Sequence, residues 1–251
     1  KLQTPTPEDT TRAATHTEKL RIQEIVGVLQ YYARAIDATF LTGVGKVSST
    51  QATPTVAVLH AAERLLAYAA TQPLAELVYY ASKMDLIAHG DASYLSETRA
   101  RSRAAGVFYL GDHDHPDQLN APILCTTTIL DVVVSSATEA EYGSAYTNTK
   151  QVDTLRRTLH DIGYPQKPTL MIIDNKAAEG IANGTVTQRH SKAMDMRYHL
   201  VRDRVRQQQL VVRWQPGREN LADYLTKAHP TKHFVAMRPF FVTTPPPDEG
   251  W

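Results

Sequence analysis

The sequence has a single cysteine, Cys125, among 251 residues. One thiol excludes an internal disulfide framework and a cysteine-based zinc site, and it fits a reducing compartment. No apolar run approaches the roughly 18 residues that a membrane-spanning helix needs, and no leader with a charged start and an apolar core opens the chain. The first residue is Lys1 rather than Met, which is expected of a piece of something longer. Charge of one sign is lacking as well: 27 Lys and Arg stand against 26 Asp and Glu, for a net charge of +1. Taken alone, that balance weighs against a strongly basic nucleic-acid protein. Internal repeats are absent. What is present is 42 % hydrophobic residues, enough for a buried core in one large domain or two small ones.

Residues 1–17 are polar, with Pro5, Pro7 and many Thr, and read as an extended lead-in. Ile22, Ile25, Val26, Leu29, Tyr32 and Ala33 then fall at helical spacing, as do Val58, Leu59, Ala62, Leu65, Leu66 and Ala69. A shorter helix is expected over 38–48. The segment 18–72 has neither Gly-rich loops nor clustered carboxylates and reads as a packing or connecting module. Strands follow, with short apolar runs at Leu77–Tyr80 and Leu86–His89, then Ala104–Leu110 and a Thr-, Ile- and Val-rich stretch at Leu124–Val134. A long helix runs through Tyr142 and Leu159 to Gly163 and Pro165. After it come a strand at Thr169–Ile173, a short helix at Lys176–Ala182, a charged helix over 192–207, a strand at Leu210–Trp214 and a helix at Glu219–Lys227. Hairpin-connected strands followed by strand–helix units predict a mixed α/β sheet with helices packed on it.

Acids stand at costly places in this pattern. Asp91 follows Leu86–Gly90 and Asp174 follows Leu170–Ile173, each read as a strand end. If those strands are adjacent and parallel, both carboxylates emerge at one sheet edge and repel by several kcal/mol at intermediate dielectric. A divalent cation such as Mg²⁺ is their natural partner. Ordinary roles are open to both: Asp91 as a turn residue and Asp174 as the N-cap of the helix at Lys176. Ser136 with Glu139 and Thr138 with Glu141 both fit a capping box. If Ser136 caps, Glu141 is left free at the border of the buried stripe. Asp112-His113-Asp114-His115-Pro116-Asp117 mixes hard and borderline ligands, but residues adjacent at a hairpin tip rarely converge on one ion, and a solvated turn is expected. Trp214 reads as a core position rather than a stacking platform.

Three motifs occur in order: Ser136-Ala137-Thr138-Glu139-Ala140-Glu141-Tyr142, Ile173-Asp174-Asn175-Lys176-Ala177-Ala178, and Asn220-Leu221-Ala222-Asp223-Tyr224-Leu225-Thr226-Lys227. Together they resemble the ribonuclease H domain of copia-type retrotransposon reverse transcriptases. Upstream, Ile25–Tyr32 and His60–Tyr68 resemble the connecting segment that precedes that domain, and Arg189-His190-Ser191-Lys192 with Asp195–His199 resembles the segment before the last strand. The likeness runs from about residue 20 to 230. It implies a ribonuclease H-like mixed five-stranded sheet with flanking helices, preceded by a small helical connection module. The division is then a lead-in over 1–17, the helical module over 18–80, a ribonuclease H-like domain over 81–230 and an irregular C-terminal tail over 231–251.

The resemblance implies cleavage of the RNA strand of RNA/DNA hybrids within a retrotransposon polyprotein. Carried over by position, the metal-binding and catalytic acids are Asp91, Glu141, Asp174 and Asp223. Asp91 and Asp174 would bridge two Mg²⁺ ions, Glu141 would complete one site and Asp223 the other, with Mn²⁺ as a substitute. Asp223 could not be chosen from spacing, since a first-turn acid is favoured by the helix dipole anyway. A Tyr-x-Asp-Asp polymerase signature is absent, so the polymerase part of the same polyprotein is the expected partner. The loop before the last acid is shortened to Pro216-Gly217-Arg218, with Arg218 near the place of the family's histidine. Residues 186–218 hold eight basic residues against two acidic, a local +6, suited to a hybrid's phosphates. Within reach of substrate we place Asn175, Arg189, His190, Lys192, Arg218, Arg101 and Arg103; residues 197–206 read equally well as a solvated helix face. The expected setting is intracellular, a cytoplasmic virus-like particle or the nucleus, without a membrane. The rival from another class is a retroelement-derived non-catalytic scaffold or binding subunit. Cleavage of DNA is a weaker third.

Overall fold

The structure, a computed structural model, describes residues 9–116, 120–186, 195–227 and 229–242. The chain divides into two compact units, one spanning Tyr79–Lys227, the other Pro7–Val78 together with the segment after Lys227.

The helical unit contains α1 (His16–Ala35), α2 (Leu41–Thr50) and α3 (Val56–Ala70). Helix α1 starts at a capping box: Thr15 accepts from Glu18 N–H, and the Glu18 carboxylate accepts from Thr15 N–H at 2.7 Å. Ile22, Ile25, Val26, Leu29 and Ala33 form its buried stripe, as the spacing predicts. Two findings differ from the sequence reading. Leu77–Tyr80 forms no strand. Residues 231–242, read as irregular, carry α8 (Thr231–Met237) and a short 3₁₀ turn at Arg238–Phe240. The reason is burial. Phe241 and Val242 are in the core, Phe234 stacks edge-on against Tyr68 at 4.7 Å, and Arg238 pairs with the fully buried Asp37 at 3.1 Å. Residues 243–251, with Pro245–Pro247, lie outside the described residues.

The other unit is a mixed five-stranded sheet with flanking helices, as expected. Its strands are β1 (Asp85–Ser93), β2 (Arg103–Gly111), β3 (Pro122–Ile129), β4 (Thr169–Ile173) and β5 (Leu210–Trp214), in the order β3-β2-β1-β4-β5. The first three are antiparallel neighbours, while β4 and β5 run parallel to β1. Parallel neighbours need crossovers. Helix α4 (Ala137–Asp161) makes the first, and α5 (Lys176–Ala182) with α6 (Asp195–Arg206) the second; α7 (Leu221–Thr226) follows β5. Alternate residues of the strands feed two cores. Leu86, Ala88, Phe108, Met171 and Ile173 pack with α4, α5 and α6, whereas Ile87, Tyr109, Leu170 and Ile172 form a cluster on the opposite face. The stretch read as a strand to Val134 ends at Ile129.

Candidate metal centre

The parallel pairing of β1 with β4 decides where the first two acids go. Its register sets His89 beside Ile172, so two residues further on Asp91 comes level with Asp174. Asp91 lies inside β1 rather than at its end and is buried at 1 % exposure. It therefore caps no turn. Ser144 on α4 donates to its main-chain oxygen at 2.7 Å. Thr226 on α7 places its hydroxyl 2.6 Å from Asp91 Oδ2.

Helix α4 brings the third acid. Ser136 is the N-cap and accepts from Glu139 N–H at 3.1 Å, while Glu139 turns back to Ser135 N–H at 2.7 Å. Glu141 is thereby left free, at 6 % exposure. Its Oε1 accepts from Ala92 N–H at 3.2 Å, and Oε2 receives no hydrogen bond. The close approach of α4 depends on Gly106. A Cβ there would lie 2.3 Å from Asn148 Oδ1, and Asn148 Nδ2 reaches over β2 to Ala105 O at 2.9 Å.

Asp174 is not a helix cap, because Asn175 takes that role by accepting from Ala178 N–H at 3.0 Å. The Asp174 carbonyl accepts from Trp214 Nε1–H at 2.9 Å. Gly217, in the loop after β5, comes so near that a Cβ on it would lie 2.6 Å from Asp174 Oδ2.

Asp91, Glu141 and Asp174 thus present carboxylate oxygens that all lie within 4.8 Å of one another. Asp223 is the neighbour whose charge most raises the pKa of Asp91 and of Asp174, and its carboxylate is paired with Lys227. Helix α7, which carries it, is fixed to β1 by two bonds at its start besides the Thr226 one. Asn220 Nδ2 donates to Gly90 O at 2.8 Å, and Leu221 N–H donates to His89 Nδ1 at 3.2 Å. Burial holds His89 down at about 4, so it is a neutral acceptor near pH 7.

Such a cluster is uncomfortable without a cation. Burial first, then the Asp223 charge, pushes Asp91 up to about 7. Burial and the Asp91 charge raise Glu141 well above the ordinary glutamate range, and Asp174 is raised by burial and Asp223. An all-carboxylate donor set with one orphaned buried oxygen suits a hard divalent ion such as Mg²⁺ or Mn²⁺.

The expected substrate residues fare unevenly. Arg103 is a correction. It is 2 % exposed and binds Glu97 at 2.7 Å and Thr127 Oγ1 at 3.1 Å, because its position on central strand β2 points it inward, so it cannot face a groove. Arg101 is part-exposed and donates to Leu130 O at 3.0 Å. Arg218 is exposed and pairs with Glu219 at 3.2 Å. Arg189, His190 and Lys192 lie outside the described residues. In the basic segment, Arg204 is bound by Asp153 at 2.9 Å, which removes it from any phosphate. Asp112 and Asp114 both pair with Lys83 at 2.9 Å, as a solvated turn allows; Asp117 is outside the described residues. Trp214 is only half-buried, since β5 is an edge strand, and Lys176 Nζ sits 4.2 Å from its ring centroid. Thr226, Lys227 and Gly217 were not singled out from the sequence. Thr226 and Lys227 had a signal: they stand three and four residues after Asp223, on the same helical face.

No protein-family profile matches the chain. It is similar to the retrovirus-related Pol polyprotein from transposon TNT 1-94 of Nicotiana tabacum, 34 % identical over 102 residues, covering 41 % of this chain and 8 % of that one. It is also similar to the Pol polyproteins from transposons RE1 and RE2 of Arabidopsis thaliana, both 28 % identical, over 215 and 207 residues. Those matches cover 84 % and 81 % of this chain and 14 % of each polyprotein, so the chain spans about a seventh of their length or less. Among solved structures, LC11-RNase H1 aligns at a TM-score of 0.42 with 15 % identity over 57 % of this chain and 92 % of that one. The foamy viral protease-reverse transcriptase in complex with RNA/DNA hybrid aligns at 0.40 with 12 % identity, over 61 % and 20 %.

Proposed function

We propose that this chain is the ribonuclease H part of a retrotransposon polyprotein, a metal-dependent endoribonuclease that cleaves the RNA strand of RNA/DNA hybrids. The observation that carries the reading is the convergence of Asp91, Glu141 and Asp174, from a strand, a helix and a strand end, within 4.8 Å. Nothing in packing a core requires three carboxylates there, and each is costly to bury. The similarity to retrotransposon Pol polyproteins supports the same reading, with the polymerase part of such a polyprotein as partner.

Asp91 and Asp174 would hold both of two Mg²⁺ ions, Glu141 would complete one site, and Asp223 would complete the other. Bound there, the ions would lower the pKa of an attacking water and stabilise the 3′-oxygen leaving group, as in two-metal phosphodiester hydrolysis. The chain's own part is positional. Thr226 and Ser144 fix the Asp91 side chain and backbone, the Ala92 N–H aims Glu141, and the Trp214 indole and the Gly217 loop hold Asp174. Asn175, Arg101 and Arg218, with Arg189, His190 and Lys192, would meet the hybrid's phosphates and the 2′-hydroxyls that mark RNA. The products would carry 5′-phosphate and 3′-hydroxyl ends.

The test is cleavage of an end-labelled RNA/DNA hybrid in Mg²⁺. Wild type is expected to cut the RNA strand and Asp174→Asn to lose at least about 100-fold of that rate. A silent wild type, or full activity in Asp174→Asn, overturns the reading.

A further inference from the structure

Lys227 stands out among the basic residues near the carboxylates. It follows the last turn of α7, four residues after Asp223, and its ammonium group is hydrogen-bonded to Asp223 Oδ1. A lysine at a helix C-terminus satisfies the dipole while staying in water. This one is drawn inward, with 38 % of its side chain exposed. Its charge also bears on Asp91, Glu141 and Asp174. It therefore holds one acid while its charge lowers the cost of ionising the other three. Asp223, the acid so held, is outside the set of three whose oxygens gather within 4.8 Å.

We infer that Lys227 is a tethered counter-cation of the carboxylate cluster, competing with an incoming divalent ion for Asp223. The inference rests on the metal-centre reading above. For Asp223 to become a ligand, Lys227 must release Oδ1, and its flexible four-carbon stem and partial exposure let it swing into solvent. Metal affinity at the Asp223 side is then the difference between two cations' hold on one carboxylate. Lys227 in this role is a positioning residue, setting how easily Asp223 is recruited.

The experiment is calorimetric titration of Mn²⁺ into the full 251-residue chain as wild type, Lys227→Met and Lys227→Arg, with the metal-free Tm of each. Lys227→Met is expected to bind Mn²⁺ on the order of tenfold tighter, the size expected for removing one partly screened unit charge. Its metal-free Tm should fall, and Lys227→Arg should keep wild-type affinity. A merely structural lysine would lower Tm without tightening Mn²⁺, so unchanged or weaker binding in Lys227→Met overturns the inference. Absence of Mn²⁺ binding in both wild type and Lys227→Met overturns the metal-centre reading itself. A second measurement needs no variant. Limited acetylation of wild type, read by peptide mass spectrometry, should label Lys227 more in Mg²⁺ than without it; equal or lower labelling counts against release.

Discussion

At the scale of single residues, the cluster makes a prediction about pH. Asp91 holds its proton up to about 7 in the folded, metal-free protein, against an ordinary value of 3.8. Between those values the folded state binds more protons than the unfolded state, so stability falls as pH rises through the window. Glu141 acts in the same direction. The metal-free Tm is expected to drop between about pH 4 and about pH 7, and Asp91→Asn to flatten that drop, measured by differential scanning calorimetry. Mg²⁺ should restore stability at the upper pH, because it binds the charged form. Gly217 supplies a second prediction at this scale. In Gly217→Ala the new methyl meets Asp174 Oδ2 at 2.6 Å, and either the loop or the carboxylate must move. Cleavage should fall by roughly 10- to 100-fold, the size of a small misplacement at a reacting centre, with far-UV circular dichroism unchanged. Wild-type rates in that variant would show that the loop yields instead. Asp91, Glu141 and Asp174 were visible in the sequence because they stand after apolar strand runs or at a helix start; Asp223 came only from the resemblance. Gly217 was not visible, since its meaning is the distance to a side chain over forty residues earlier.

At the scale of elements, the way α4 begins explains why Glu141 is available. Ser136 caps, Glu139 serves Ser135, and the next acid on the helix is released to the cluster. The sequence offered two capping boxes; the helix caps at Ser136, with the Glu139 carboxylate turned to Ser135 N–H rather than to the cap's own N–H. Ser136→Ala is expected to cost about 1 kcal/mol and to loosen the first turn that carries Glu141. Urea unfolding reads the cost, and a loss of Mn²⁺ affinity reads the loosening. Strand β2 shows where sequence reasoning failed. Arg103 looked like a phosphate contact beside Arg101, but strand alternation turned it inward onto Glu97 and Thr127. Arg103→Met would strand the Glu97 carboxylate in the interior and should destabilise the protein by about 3–5 kcal/mol. The same change at a groove contact would leave urea stability untouched and weaken hybrid binding, so the two roles separate in one pair of measurements.

At the scale of the whole molecule, the described residues of the sheet unit come from one stretch of chain, whereas the helical unit is assembled from two distant ones. The helical unit takes Asp37 from the N-terminal side and Arg238 from the C-terminal side and buries their ion pair. Arg238→Met should therefore destabilise that unit by about 3–5 kcal/mol, seen as an earlier urea transition in far-UV circular dichroism; an unshifted transition would show the pair to be dispensable. The sequence by itself determined most of the secondary elements, because periodicity, caps and strand composition are local, but it placed a strand at Leu77–Tyr80 that does not form and missed α8. It also marked Asp91, Glu141 and Asp174 as acids in expensive places. Only the tertiary structure decided what those acids do together: the parallel β1–β4 register levels Asp91 with Asp174, and the Gly106–Asn148 approach sets α4 near enough for Glu141. It also decided that Arg103 is interior, that Arg204 is bound to Asp153, that residues 231–242 fold as helix and turn, and that Lys227 pairs with Asp223. The physical reason is the same throughout. A local pattern fixes which face of an element a side chain lies on, but its charge, partners and pKa depend on what that face meets, and that comes from chain segments far away in sequence.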